Sequence, residues 1–263
     1  DNLEAHAFYF EPKNENFQSL NELPPLIVLS HGGPTSSARS SFDPTVQFWT
    51  NRGFAVVDVN YGGSTGFGTE YRNRLKGNWG ITDTQDCVEA AKYLAENGFA
   101  DSDRLIIKGG SAGGYTTLCA LTWHNIFAAG ISRYGVADLE TLARDTHKFE
   151  SKYLDSLIGP WPEESGIYIE RSPIHHTHLL STPMIILQGT EDAVVPPAQA
   201  ESLVRSLASA NIPHSYLLFE GEGHGFRQAK NIATALESEL SFLGQILGFE
   251  PATSITRVEI RRQ

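Results

Sequence analysis

This 263-residue sequence predicts an α/β fold: a mainly parallel sheet with helices on both faces. Three observations carry that reading. Short β-rich apolar runs alternate with segments of helical period over most of the length, as in sheets whose crossovers are helices. The length closes one large core or at most two small ones. Hydrophobic residues at 40% against 19% charged supply enough apolar surface to offset the entropy of ordering the chain. No fixed-period repeat, low-complexity tract or Gly/Ser linker divides the sequence, so residues 1–263 read as a single domain.

The expected strands are 5–10, 26–30, 54–59, 104–108, 128–132, 184–188 and 215–219. Helices fall between them. One starts at Thr82, which with Gln85 spells a capping box, carries Val88, Ala91, Leu94 and Ala95 on one stripe, and stops at Gly98 as a left-handed residue. A second follows Pro197, with Ala200, Leu203, Val204, Leu207 and Ala208 at helical spacing, and a third places Ile232, Leu236, Leu240 and Leu243 on one face. Shorter helices are expected at 44–51 and 112–122. Residues 135–180 break the alternation with three prolines among many aromatics, and are expected to form an insertion over the sheet edge. The polar/apolar alternation of 256–262 suits either an added strand or a frayed tail.

The formal net charge of −11 repels phosphate backbones and anionic lipid, so neither nucleic acid nor a membrane surface is an expected partner. No apolar run approaches the ~18 residues of a membrane span, and the first residues lack a basic start followed by an apolar stretch. Two cysteines, Cys87 and Cys119, cannot build a disulfide framework and read as buried thiols, which suits a reducing, cytoplasmic compartment. The chain opens on Asp1 and not Met, which leads to the expectation that it was processed or cut from something longer.

Two pentapeptides match Gly-x-Ser-x-Gly: 62–66 and 109–113. The motif is short enough to arise by chance, so context separates them. Ser111 follows an apolar strand and leads straight into a helical pattern whose amino-terminal dipole favours an oxyanion. The segment after Ser64 has no apolar stripe and reads as loop. Ser111 is therefore the expected nucleophile. A serine hydroxyl attacks only when an imidazole takes its proton and a carboxylate orients that imidazole. Asp192 follows the strand 184–188, with Glu191 as its local rival, and His224 follows the next strand between two glycines. The oxyanion needs backbone donors: Ala112 supplies one, and Gly33, in the His-Gly-Gly-Pro loop after the strand 26–30, is the best candidate for the other, with Gly32 as fallback.

His175, His176 and His178 lie together without a Cys or carboxylate at useful spacing, and read as a loop; no metal or other cofactor is expected. Phe149, Tyr153, Ile158 and Trp161 read equally as core or as the wall of a substrate pocket, which would favour an apolar or aromatic residue on the acyl side of the cleaved bond.

Taken together, HGGP (31–34), VNYGGSTGFG (59–68), NWGITDTQDCVEA (78–90), GGSAGGY (109–115), QGTEDAVVPP (188–197) and EGEGHGF (220–226) resemble the catalytic domain of the prolyl oligopeptidase family, most of all its acylaminoacyl peptidase and aminopeptidase branch. The resemblance spans roughly residues 5–247. It implies an α/β-hydrolase domain that cleaves short peptides from the amino terminus through an acyl-enzyme, with Ser111, Asp192 and His224 as triad and Gly33 and Ala112 as oxyanion donors. It implies in addition an amino-terminal β-propeller outside this chain that gates the site and anchors the substrate's amine. Branches named for prolyl specificity carry a Tyr donor at the place of His31, and many relatives have Arg at the place of Gly62; both are absent here. A carboxylesterase on the same triad and a non-catalytic interaction domain are the competing readings. The sequence is silent on oligomeric state, and a homo-oligomer is compatible with it.

Overall fold

A computed structural model describes residues 3–19, 21–145 and 152–262. Its sheet has seven strands: β1 (His6–Phe10), β2 (Leu26–Ser30), β3 (Ala55–Asn60), β4 (Leu105–Gly110), β5 (Ala129–Arg133), β6 (Met184–Gly189) and β7 (His214–Phe219). They lie in the order β1-β3-β2-β4-β5-β6-β7. Only the β1–β3 pair is antiparallel; the other five pairings are parallel. The α/β-hydrolase fold expected from the sequence is the fold observed.

Strand parity explains the two-sided burial. Leu26, Val28, Leu105, Ile107, Met184 and Ile186 face one core, completed by α3 (Thr82–Glu96), α4 (Ala112–Trp123) and α8 (Pro197–Ser209). Ile27, Ile106, Ile131, Ile185 and Leu187 face the other, under α1 (Pro44–Thr50) and α9 (Ala229–Leu247). The chain order also holds a short α2 (Gly68–Asn73) in what the sequence suggested was loop, and α5 (Leu139–Asp145), α6 (Tyr153–Leu157) and α7 (Ser165–Glu170) in the 135–180 segment.

Several local expectations need correction. The capping box at Thr82 does not form: Thr82 is already inside α3, the Gly80 N–H goes to Asp83 at 2.6 Å, and Gln85 reaches forward to Glu89. Gly98 does end that helix with φ +75°. On α9 the buried face runs through Ala235, Glu239, Leu240, Phe242 and Leu243, and Ile232 in its first turn is exposed. Among its described residues, the 135–180 segment does not cover a sheet edge. It leaves from β5 and returns to β6, both interior, and docks over the carboxyl ends of the strands: Gly77 N–H donates to Ser156, Trp79 N–H to Leu157, and Arg171 to the Gly77 carbonyl. The 256–262 stretch lies beside β7, making a single antiparallel bridge between His214 and Arg261. Among the described residues no helix is long and apolar enough to cross a membrane.

Candidate active site

Strand β4 ends in Gly109-Gly110, and Ser111 then sits at φ 57°, ψ −123°, a conformation that costs a non-glycine residue of order 1–3 kcal/mol unless its surroundings hold it. They do. The Ser111 N–H donates to the Arg133 carbonyl on β5 at 3.0 Å, and α4 begins at the next residue. The tight turn explains the flanking glycines: a Cβ on Gly109 would strike the Gly113 carbonyl, and one on Gly113 would strike the Ser30 carbonyl. Ser30 braces the same corner by donating its hydroxyl to the Gly113 carbonyl at 2.8 Å. The first amides of α4 have no acceptor within the helix, so Ala112 N–H is free to serve a ligand at the positive end of the helix.

Against Ser111 Oγ, at 2.7 Å, lies His224 Nε2. His224 hangs from the loop after β7, where Gly225 takes φ +99°. Its Nδ1–H donates to Asp192 Oδ2 at 2.8 Å. The Asp192 side chain is fully buried in the loop after β6, while Glu191 points to solvent. Asp192 Oδ1 also accepts the Val194 and Val195 amides at 2.9 and 2.8 Å, and Gln188 reaches Oδ2 at 3.3 Å. Burial by itself would raise this carboxyl, but the His224 hydrogen bond and the two backbone amides outweigh it and hold Asp192 below the ordinary carboxylate range. Three residues separated by 81 and 32 positions are thus brought into one hydrogen-bonded line by the ends of β4, β6 and β7.

A cleft opens beside Ser111, walled by Gly33, Ala112, Trp79, Val136, Leu142, Tyr153, Leu154 and Val195. Gly33 takes φ +126°, which requires glycine. Of the four residues suggested for a pocket wall, Tyr153 is in place, its hydroxyl 2.7 Å from Thr35 Oγ1. Ile158 is buried in the core, Trp161 packs edge-on against Tyr168, and neither lines this cleft; Phe149 lies outside the described residues. Helices α5 and α6 supply Leu142 and Leu154 instead, which no periodicity in that proline-broken segment singled out. His175, His176 and His178 sit in a 3-10 turn (Pro173–Leu179), with His176 against Trp123; among the described residues no group of three metal-ligating side chains converges.

Two supports escaped the sequence reading. Glu222 spans the His224 loop, accepting from the amides of Arg227 and Gln228 and from Asn231. Beneath the nucleophile, Lys108 and Arg133 both pair with the fully buried Glu239 of α9, at 2.5 and 2.6 Å. The available signals were a lysine in an otherwise apolar strand and a glutamate within the apolar face of a helix.

Comparisons with known proteins identify the family. A model of the prolyl oligopeptidase family matches residues 40–250. The chain is 34% identical over 230 residues to dipeptidyl aminopeptidase BIII of Pseudoxanthomonas mexicana, covering 85% of this chain and 33% of that protein. To the acylamino-acid-releasing enzyme of Arabidopsis thaliana it is 31% identical over 216 residues, covering 76% and 27%. Among solved structures, a Mycobacterium tuberculosis puromycin-hydrolyzing peptidase superposes with a TM-score of 0.95 at 46% identity, covering 98% of this chain and 39% of that one. The chain spans about a third of the length of the curated relatives it matches.

Proposed function

Because this chain belongs to the prolyl oligopeptidase family, we propose that it is a serine peptidase that removes residues from the amino terminus of short peptides, as an aminopeptidase or acylaminoacyl peptidase. The observation that carries the proposal is the unbroken hydrogen-bonded line from Ser111 through His224 to Asp192, next to two backbone amides in the cleft wall. Ser111 Oγ attacks the scissile carbonyl while His224 Nε2 takes its proton. Asp192 keeps the imidazole proton on Nδ1 and offsets the positive charge that develops. The oxyanion falls between the Ala112 and Gly33 N–H groups. His224 then protonates the departing amine, and water releases the acyl group by the same steps in reverse.

The walls formed by Trp79, Val136, Leu142 and Leu154 suit an apolar or aromatic side chain on the acyl side of the bond. The residues named for the chemistry need no metal or cofactor. Selection for a free or blocked amine belongs, in this proposal, to a β-propeller of the intact gene product, and the compartment is the cytoplasm; a homo-oligomer would be compatible with the site. The test is turnover of an aminoacyl anilide beside a short-chain nitrophenyl ester. Preference for the anilide supports the peptidase, preference for the ester favours a carboxylesterase, and silence on both without fluorophosphonate labelling leaves a non-catalytic domain.

A further inference from the structure

The second Gly-x-Ser-x-Gly pentapeptide, Gly62–Gly66, has no part in the chemistry above, yet its serine is completely buried and engaged with a histidine. Ser64 Oγ lies 2.7 Å from His31 Nε2, and His31 opens the loop that carries Gly33. The ring's proton can be assigned from its partners. His31 Nδ1 faces the Gly32 carbonyl at 2.9 Å, which only accepts, and the Tyr61 hydroxyl at 3.2 Å, whose own hydrogen goes to the nearer His31 or Pro34 carbonyl at 2.9 Å, so Nδ1 carries the hydrogen. Nε2 is then the acceptor, and Ser64 must donate to it. Burial holds His31 below the ordinary imidazole range, with the Gly32 hydrogen bond opposing, which keeps the ring neutral as this arrangement requires.

We propose that Ser64 is a positioning residue for the oxyanion donor: through His31 it fixes the Gly32 carbonyl and so aims the Gly33 N–H into the cleft. The link is covalent geometry. The Gly32 carbonyl and the Gly33 N–H belong to one planar trans peptide and point in opposite directions, so a bond that pins the first sets the second. Between two glycines this peptide has little else to stop it from turning over. The surrounding contacts act on the same loop. Tyr61 stacks on the His31 ring at 4.2 Å and its hydroxyl lies 2.9 Å from both the His31 and Pro34 carbonyls. Thr65 N–H donates to the Ser36 carbonyl at 2.8 Å, closing the far end. Gly62 and Gly63 have no room for a Cβ against Thr82 and Leu75 and so serve close packing, while Gly66 faces open space at φ +97° and serves the turn; the serine between them serves orientation.

The inference rests on the proposed peptidase reading, and the experiment separates the two. Ser64→Ala and Ser111→Ala are assayed on an aminoacyl anilide, with inhibition by the matching aminoacyl aldehyde, whose hemiacetal oxygen would occupy the oxyanion position. The expected result for Ser64→Ala is a kcat lower by about 10–100-fold, less than the 10²–10³ typical of deleting an oxyanion donor, with KM unchanged and aldehyde affinity weakened in step with kcat. Wild-type kcat in Ser64→Ala, or a loss with unchanged aldehyde affinity, overturns the inference. Full activity in Ser111→Ala overturns the peptidase reading itself. A measurement on the unaltered protein guards against a Ser64 variant that fails to fold: imidazole ¹⁵N shifts of His31 at neutral pH should report a proton on Nδ1 alone. A proton on Nε2 would contradict the proposal, since Ser64 would then be the acceptor and Gly32 would be released.

Discussion

Gly113 and Ser30 meet so closely that a Cβ on the glycine would fall on the Ser30 carbonyl, while the Ser30 hydroxyl donates back to the Gly113 carbonyl at 2.8 Å. The contact joins the start of α4 to the end of β2, and so joins the turn that presents Ser111 to the loop that presents Gly33. Gly113→Ala should therefore force the two apart, with peptidase kcat falling at least about 100-fold and a stability loss of about 1–3 kcal/mol in urea unfolding. Gly166→Ala is the control, since no atom lies within 4 Å of its would-be Cβ; it should be neutral or slightly stabilising.

Asp192→Asn keeps the shape of its loop but offers the imidazole an amide. An amide nitrogen turned towards His224 would favour the wrong tautomer, and kcat should fall by about 10³–10⁴. Because the native carboxyl is held below the usual range, the acid limb of kcat/KM above pH 5 should reflect one proton, not two. A limb of slope two there would mean that Asp192 titrates together with the base.

Stability should fall as pH rises from about 4 to about 7. Burial, and next the charge of Asp43, push Asp58 up to about 7 from an ordinary value of 3.8. Over that interval the folded chain holds a proton that the unfolded chain has released, so the favourable contribution is full below 3.8 and gone above 7. Asp58→Asn should make this slope shallower, leaving the part due to Asp83, which burial pushes up to about 6, and raise stability at pH 8 by about 1–2 kcal/mol, discounted for its partial exposure. A Tm that varies with pH in Asp58→Asn as it does in the wild type would refute the assignment.

Glu239→Gln leaves Lys108 and Arg133 buried without their shared anion. Chemical denaturation should show a loss of about 3–5 kcal/mol, the cost of uncompensated buried charge. Activity should fall as well, because Arg133 is the residue whose carbonyl holds the Ser111 N–H.

Much of this was legible in the sequence where local chemistry decides. The strands stood out because both their faces are buried, leaving unbroken apolar runs such as Leu26–Leu29 and Met184–Leu187. The elbow stood out because an apolar strand leads into Ser111 and a helical pattern leads out of it, with glycines two residues to either side where a Cβ would strike backbone. Legibility stopped where partners come from afar. Leu142 and Leu154 line the cleft through the path of a proline-broken segment, Glu239 meets Lys108 across 131 positions, and Thr82 carries a capping signature that the buried Asp83 supersedes. Ser64 reads from the sequence as a loop residue and not as the nucleophile, and its bond to His31 depends on a loop 33 residues away that no spacing rule connects.

The most direct test of the central claim is mass spectrometry of the chain after incubation with a fluorophosphonate. One adduct is expected, on the peptide containing Ser111, absent from Ser111→Ala and strongly slowed in His224→Ala. An adduct that persists in Ser111→Ala, or that maps to Ser64, would contradict the account.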